Sequence, residues 1–283
     1  MVFYQFNDCY KLTSIYDTNS KRLLSFVEQR IVKMKRFIVL IAIVMFNFSS
    51  SQTQIIAHRG FWNTHPATAE NSIQSLKNAQ GLKIYGSEFD VRMSKDGVLV
   101  VNHDEHINTL EISETLFKDL EKEKLSNGET LPTLEKYLKQ GKKSKQVKLI
   151  VEIKPGKTPE LENEMVMKTL EMVKRNQLEN QCEFISFSLH LCQEIKRQNP
   201  NAIVQYLEGN LSPEQVKNTG LDGIDYHYSV FVEKHPEWIS EAKKLGIITN
   251  VWTVNDEVIF NKLVEMGVDF VTTNVPDELM KHH

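Results

Sequence analysis

The sequence predicts an α/β protein whose single compact domain is a TIM (β/α)8 barrel. From residue 54 onward, apolar segments of strand length alternate with amphipathic segments of helix length. About eight strand–helix units fit into these ~230 residues, which is the usual size of a parallel barrel. A doubly wound open sheet is the alternative, but no Gly-x-Gly-x-x-Gly motif follows a strand, which favours the barrel.

The strands are predicted from apolar runs that end in polar or turn-forming residues. They lie near residues 54–58, 86–91, 148–153, 183–187, 203–207, 223–226, 247–252 and 269–273. Helical patterns lie near residues 70–80, 132–140, 159–177, 189–198, 212–219, 230–245 and 256–266. Ser212 and Gln215 match a capping box, which marks a helix start. Gly220 and Gly246 stand where a left-handed residue ends a helix.

The composition is that of an ordinary globular protein and excludes some classes of function. Of the 283 residues, 41% are hydrophobic and 25% are charged, and the formal net charge is -3. The chain has no basic stripe with interleaved aromatic residues. We therefore expect no nucleic-acid partner.

The N-terminal part of the chain predicts an exported protein. Residues 1–33 show no period, and we expect them to be a non-native extension from a start codon assigned too early. Residues 34–51 have the layout of a secretory signal peptide, with Lys35 and Arg36 before an apolar run and serines after it. A buried helix or an uncleaved anchor is the alternative, although the run is shorter than the ~20 residues of a membrane span. We expect a mature periplasmic or secreted domain, 52–283, without stable membrane insertion after signal cleavage.

Two cysteines remain in the predicted mature domain. Cys182 opens a predicted strand and Cys192 lies in the predicted helix that follows it. An oxidising compartment would allow them to pair, but a disulfide requires closely placed Cα atoms. The sequence leaves the free and paired forms open.

Three carboxylates at the ends of predicted strands indicate a metal site. Glu88 and Asp90 are two residues apart, so both side chains point to the same face of a strand. Two close carboxylates raise each other's pKa unless a cation lies between them. Glu152 ends a third apolar run and adds a third carboxylate. Such a set suits one divalent cation, Ca²⁺ or Mg²⁺, and the sequence does not choose between the two ions.

Other polar residues at strand ends suit the cleavage of a phosphate ester. His58 and His103 are suited to be a general acid and a general base, in either order. Arg59 and Lys154 would bind phosphate oxygens, although Lys154 could instead form an ion pair with the carboxylates. Trp252 at the end of the seventh strand is predicted to form an apolar wall for an alcohol group. In a parallel barrel these strand ends meet on one face.

Together the motifs resemble the glycerophosphodiester phosphodiesterase family. The resemblance covers roughly residues 54–279, and the motifs are specific only in combination. In chain order the matching segments are His58-Arg59-Gly60, Glu70-Asn71, Glu88-Phe89-Asp90, Asp96-Gly97, His103-Asp104 and Glu152-Ile153-Lys154. The family usually has Asp at the end of the eighth strand, where this chain has Asn274, and this departure puts details of substrate choice in doubt.

The resemblance implies a TIM barrel that hydrolyses glycerophosphodiesters, such as deacylated phospholipid head groups, to glycerol phosphate and an alcohol. It implies His58 and His103 as the catalytic pair and a metal held by Glu88, Asp90 and Glu152. It also implies that Glu70 and Asn71, at the start of the first helix, support the site from beside it. Two alternatives stay open: a phospholipase-type enzyme that acts on intact lipid, and a non-catalytic binding module on the same barrel.

Overall fold

Eight parallel strands close a barrel in the computed structural model, which describes residues 52–282 together with Arg30 and Lys33. In chain order the strands are β1 (Gln54–Ala57), β2 (Gly86–Met93), β3 (Leu99–Val101), β4 (His106–Ile107), β5 (Leu110–Glu111), β6 (Lys148–Ile153), β7 (Cys182–Ser186), β8 (Val204–Tyr206), β9 (Gly223–His227), β10 (Ile248–Trp252) and β11 (Phe270–Thr273). Strands β1, β2 and β6 to β11 form the barrel, and pairing of β1 with both β2 and β11 closes it. The predicted TIM barrel is confirmed.

All but the last of the α-helices of this region lie between barrel strands along the chain, as a β–α–β path requires. They are α1 (Ile73–Gln80), α2 (Phe117–Leu120), α3 (Leu134–Gly141), α4 (Pro159–Arg175), α5 (Leu189–Gln198), α6 (Pro213–Asn218), α7 (Trp238–Leu245), α8 (Glu257–Met266) and α9 (Pro276–Leu279). The predicted capping box is present at the start of α6, where Ser212 and Gln215 bond each other's backbone amides.

The prediction of one continuous helix over residues 230–245 is wrong. A short π-helical turn, Val230–Lys234, precedes α7, and Pro236 lies between them. Proline has no backbone N–H and disfavours helical geometry in the residue before it. The apolar periodicity is present on both sides of Pro236, but the helix is interrupted at this residue.

The segment after β2 turns back and builds a small second core. Strand β3 pairs antiparallel with β2 after the Lys95-Asp96-Gly97 turn. The following residues form the β4–β5 hairpin and α2, whose apolar side chains pack apart from the main core. The buried members of that cluster are Val100, Ile107, Ile112, Leu120 and Leu131. The antiparallel return of β3 along β2 brings His103 back over the barrel.

The barrel interior is apolar in its middle and polar towards the strand ends. Ile56, Ile150, Ile185 and Leu207 form a buried cluster inside the strands. The larger core lies between the outer face of the strands and the helices. Side chains two positions further along the same strands, such as His58 after Ile56 and Glu152 after Ile150, therefore project above an apolar floor at the carboxyl face of the barrel.

The N-terminal predictions fall outside the described residues. This holds for the signal peptide at 34–51 and, apart from Arg30 and Lys33, for the extension at 1–33. A search of the described helices found none with both the length and the hydropathy of a membrane span. Cys182 and Cys192 are both buried, and both are free thiols.

Candidate active site

Glu88, Asp90 and Glu152 converge inside the carboxyl end of the barrel. Strands β2 and β6 pair in a register that sets Asp90 beside Glu152, and Glu88 lies two residues earlier on β2. All three side chains are buried, and one carboxylate oxygen from each lies within 4.8 Å of the others. The structure thus brings together the three predicted metal ligands.

Lys154 compensates part of this buried negative charge. Its Nζ lies 2.8 Å from Asp90 Oδ1 and 2.7 Å from Glu152 Oε1. Burial by itself would raise the pKa of Asp90, but the Lys154 ammonium, His103 and the Asn71 hydrogen bond together outweigh burial and hold that pKa at about 2. Burial and the nearby Asp90 carboxylate raise the pKa of Glu152 to about 7. The ion pair that was the alternative for Lys154 is therefore present.

Glu88 keeps an unsatisfied oxygen. Its Oε2 accepts a hydrogen bond from the backbone N–H of Arg59 at 2.8 Å, whereas its buried Oε1 has no partner among the described residues. Burial and then the Asp90 and Glu152 carboxylates raise the pKa of Glu88 well above its ordinary value. The three carboxylates carry more negative charge than Lys154 offsets, and three oxygen donors at this spacing fit a divalent cation.

The residues Glu70 and Asn71 support this cluster from a loop. The expectation that they start the first helix is wrong, because Ser72 caps α1 and Asn71 has a positive φ of 56°. In this conformation, which Asn tolerates well, Asn71 Nδ2 donates to Asp90 Oδ2 at 2.8 Å. Glu70 forms an ion pair with Arg59. The pair thus orients one predicted ligand and one predicted phosphate-binding residue.

His58 is held by a residue from the opposite end of the chain. Its Nδ1 lies 2.8 Å from Asn274 Oδ1, which accepts only, so Nδ1 carries the proton and Nε2 is left basic. Nε2 lies 4.0 Å from Glu88 Oε2. Asn255 Oδ1 accepts from the backbone N–H of Asn274 at 2.9 Å and fixes that residue. Burial and the Arg59 guanidinium lower the pKa of His58 to about 4.

His103 has a different partner. Its Nδ1 lies 2.7 Å from Asp104 Oδ1, and Arg92 Nε donates to its backbone oxygen at 2.9 Å. Burial lowers the pKa of His103, while the Asp90 and Asp104 carboxylates oppose that shift. A carboxylate on Nδ1 stabilises the protonated ring more than an amide does. The two histidines therefore have unequal tendencies to hold a proton.

Two cavities meet at the site. The inner one has a volume of about 90 Å³, and its polar side is lined by His58, Arg59, Glu88, His103, Glu152 and Lys154. The outer one, of about 200 Å³, is lined by polar groups that include Glu70, Asn102 and Asp104. Arg59 and His103 line both cavities. A phosphate held at this junction would place one ester arm in each cavity.

The predicted apolar wall is present in the inner cavity. Trp252 packs edge-on against Phe187, with ring centroids 5.6 Å apart. Its Nε1 donates to the backbone oxygen of Asp225 at 2.9 Å, which fixes the indole plane. Ile185 and Leu207 complete the apolar surface. These side chains suit contact with the carbon atoms of a small group.

Three contributors were missed in the sequence. Asn255 and Arg92 act through hydrogen bonds to backbone groups near the two histidines, and no spacing rule predicts such contacts. Asp225 had a detectable signal, because it is a single acidic residue within an apolar strand segment. Ser188, which follows the end of β7, is a polar residue with a structural contact instead: it caps α5, and its hydroxyl donates to Glu162.

A closed parallel barrel with acid–base groups and a carboxylate cluster on its carboxyl face defines an enzyme of the TIM-barrel class. A model of the glycerophosphoryl diester phosphodiesterase family matches residues 58–278, and the chain belongs to that family. The predicted family and enzyme class are confirmed. The family and the buried acidic cluster together indicate a divalent metal.

Solved structures and a curated relative are similar to this chain over nearly their whole length. A crystal structure of a glycerophosphodiester phosphodiesterase from Parabacteroides distasonis is 45% identical, with a TM-score of 0.80, over 82% of this chain and 97% of the other. An Oleispira antarctica phosphodiesterase, solved in complex with the product sn-glycerol-3-phosphate, is 26% identical with a TM-score of 0.71, over 81% and 96%. A curated glycerophosphodiester phosphodiesterase from Caldanaerobacter subterraneus subsp. tengcongensis is 28% identical over 246 residues, 81% of this chain and 97% of its own.

Proposed function

We propose that this chain hydrolyses glycerophosphodiesters, such as deacylated phospholipid head groups, to glycerol phosphate and an alcohol. One observation carries the proposal: both histidines and two of the three clustered carboxylates, those of Glu88 and Glu152, line a single cavity at the mouth of the barrel. The Oleispira antarctica relative holds sn-glycerol-3-phosphate, which is the product expected here.

The proposed cofactor is one Ca²⁺ or Mg²⁺ ion held by Glu88, Asp90 and Glu152. The unsatisfied Glu88 oxygen and the hard oxygen donors support this choice. When bound, such an ion would withdraw charge from the phosphate and from the attacking oxygen. Arg59 and Lys154, whose cations face the same cavity, would bind the non-bridging oxygens and neutralise charge that develops on them.

The two histidines would divide the proton transfers. His58, neutral and with a free Nε2, would take a proton from the attacking water molecule as the water oxygen bonds to phosphorus. His103, backed by Asp104, would give a proton to the leaving alkoxide as its bond to phosphorus breaks. The net reaction adds one water molecule across the ester. This assigns His58 as the base and His103 as the acid.

The alternative functions have less support. A non-catalytic module would not need two histidines and two cations lining one cavity beside a cluster of three carboxylates. An enzyme that acts on intact lipid would need an exposed apolar surface. The large exposed apolar side chains of the described region are Leu116, Met167 and Val258, and they lie at separate elements.

Product analysis tests the proposal. Purified protein is incubated with glycerophosphoethanolamine and Mg²⁺ or Ca²⁺, and the phosphorus products are followed by ³¹P NMR. We expect a glycerol phosphate monoester to appear, to vanish with excess EDTA, and to return when the metal is restored. A stable diester with every metal offered would contradict the proposed reaction. The ion that restores the higher rate identifies the preferred cofactor.

We also propose that the enzyme is exported. The proposal is supported by the basic, apolar and small-residue layout of residues 34–51. N-terminal sequencing of protein recovered from the cell exterior or periplasm is expected to begin near Gln52. Recovery of residues 1–33 intact on a cytoplasmic product would contradict this proposal.

A further inference from the structure

Asp225 is an acidic residue on the otherwise apolar side of the inner cavity. The residues around it there include Ile185, Phe187, Leu207 and Trp252. The carboxylate cluster lies across the cavity, and Asp225 does not belong to the group whose oxygens lie within 4.8 Å of one another. Its carboxyl group is therefore separate from the proposed metal site and has no role in the mechanism above.

The side chain of Asp225 is oriented by its neighbour on the next strand. Asn250 stands beside Asp225 in the β9–β10 register, and its Nδ2 donates to Asp225 Oδ2 at 3.1 Å. Asn250 Oδ1 in turn accepts from Thr272 Oγ1 at 3.2 Å, which fixes the direction of the amide. The Asp225 carboxyl group is thus held through Oδ2, and its backbone is held in strand β9.

The second oxygen of Asp225 has no partner. Asp225 is 1% exposed, and its Oδ1 makes no hydrogen bond to any residue that the structure describes. Burial, and then the charge of Glu152, raise the pKa of Asp225 well above its ordinary value. A buried polar atom without a partner is costly, so such atoms in binding pockets commonly meet a group of the ligand.

If Asp225 had a purely structural role, Gln205 would be the candidate partner for its Oδ1. Gln205 on β8 is buried, and its Oε1 also lacks a hydrogen bond within the described region. A proton shared between the two side chains would satisfy both without any ligand. Gln205, however, does not line the inner cavity, whereas Asp225 does. This difference favours a role for Asp225 in contact with a ligand in the cavity.

We propose that Asp225 binds a hydroxyl group of the substrate's glycerol arm through Oδ1 and so selects a polyol over an aliphatic arm. The inference rests on the proposed function, because the phosphate must be held at the Arg59 and Lys154 end for the arm to enter this cavity. The apolar wall with Trp252 would contact the carbon atoms of the arm. Asp225 would supply the polar contact that fixes its orientation.

Two chromogenic diesters that differ only in their hydroxyl groups test this inference. They are the p-nitrophenyl diesters of glycerol 3-phosphate and of propyl phosphate, which share one leaving group. The variants are Asp225→Leu, Asp225→Asn and the control Glu183→Gln. Glu183 is also a buried barrel acid, but it accepts from Tyr85 Oη at 2.5 Å and lies outside the cavity. The full-length protein is used with added Mg²⁺ or Ca²⁺.

We expect Asp225→Leu to lose roughly 10–100-fold in kcat/KM on the glycerol diester, mainly through KM, and little on the propyl diester. Asp225→Asn, whose amide still hydrogen-bonds, is expected to retain most of the preference, and Glu183→Gln to keep the wild-type ratio. If Asp225→Leu fails to fold, Asp225→Ala is measured in its place.

An equal loss on both diesters in the leucine or alanine variant would overturn the inference and leave Asp225 as a structural residue. Wild-type protein that hydrolyses the glycerol diester without preferring it over the propyl diester would also overturn it, with the proposed function intact. Wild-type protein inactive on both diesters would overturn the proposed function and, with it, this inference.

Discussion

His58 Nδ1 donates a hydrogen bond to Asn274 Oδ1 across 2.8 Å and so joins the end of the first barrel strand to the end of the last. An amide oxygen orients the imidazole and fixes its tautomer, but it adds no negative charge. The resemblance to the family implies Asp at this position, where this chain has Asn274. In this chain the Asn274 hydrogen bond raises the pKa of His58 less than burial and the Arg59 guanidinium lower it.

Replacing that amide by a carboxylate should change the pH profile. We expect Asn274→Asp to raise the pKa of His58 from about 4 by roughly 1–3 units, because a nearby negative charge stabilises the imidazolium. A base with a higher pKa is protonated over a wider acidic range. The acidic limb of the kcat/KM profile should therefore move to higher pH, which steady-state rates between pH 4 and 8 would show.

A distant charge serves as the control for this substitution. Asn199, at the end of α5, caps a helix away from the cavity. Asn199→Asp adds the same charge and should leave the acidic limb in place. An unmoved limb in Asn274→Asp would mean that protonation of His58 does not limit activity.

The two histidines should respond differently to the leaving group. Each alanine variant is expected to lose about 10²–10⁴-fold on a natural glycerophosphodiester, the usual contribution of general acid–base catalysis. With p-nitrophenolate, which leaves without protonation, His103→Ala should recover much of its rate and His58→Ala should not. Recovery of His58→Ala alone would reverse the assignment. Equal responses would show that the histidines do not divide the proton transfers.

The metal-free protein should lose stability as pH rises. The folded-state pKa of Glu152, about 7, and that of Glu88 are raised above the ordinary glutamate value near 4.3. The folded state therefore binds protons more tightly, and stability falls between about pH 4.5 and 7. Asp90, with a pKa of about 2, contributes stability that is lost only as pH falls towards that value.

Thermal unfolding with and without a divalent ion measures this effect. The rise in Tm on adding Mg²⁺ or Ca²⁺ should be larger at pH 8 than at pH 5, because binding requires ionised ligands. Taking the difference between the two conditions removes the contribution of other titrating groups. In Glu152→Gln the dependence of this rise on pH should shrink. A rise in Tm that is the same at both pH values would contradict the raised carboxyl pKa values.

Lys154 should stabilise the fold as well as bind substrate. Lys154→Met leaves two buried carboxylates without their cation, and we expect a loss of about 3 kcal/mol in the free energy of unfolding. A divalent cation should restore part of it. The matched control is Lys157→Met, whose ion pairs with Glu111 and Glu114 lie at the surface and should matter little. Equal losses in urea denaturation would contradict a special role for the buried pairs.

The sequence predicted the barrel well because its strands carry a local signal. Each barrel strand was located to within two residues, since apolar runs that end in polar groups mark where parallel strands stop. The three carboxylates were predicted for the same reason: their strand positions are visible in the motif spacing. The first helix was predicted to begin three residues too early. The left-handed backbone of Asn71 and the cap at Ser72 delay its start, and the hydrophobic pattern does not show either of them.

The remaining parts of the site depend on contacts between distant residues. His58 and Asn274 are 216 positions apart, and their hydrogen bond exists only once the barrel has closed. The role of Asp225 likewise depends on Asn250 beside it on the next strand. Neither contact follows a periodicity or a spacing along the chain. Such cross-strand partners required the three-dimensional structure.

Glu88, Asp90 and Glu152 are proposed to hold the one divalent cation that hydrolysis requires. The direct measurement compares metal content and glycerophosphodiester hydrolysis in wild type, Glu88→Gln and the buried control Glu183→Gln, each stripped with EDTA and reloaded. Wild type and the control should bind one ion per chain and regain activity. Glu88→Gln should stay folded, bind the ion more weakly and lose at least 10–100-fold in rate. Full activity of Glu88→Gln in excess EDTA would contradict the claim.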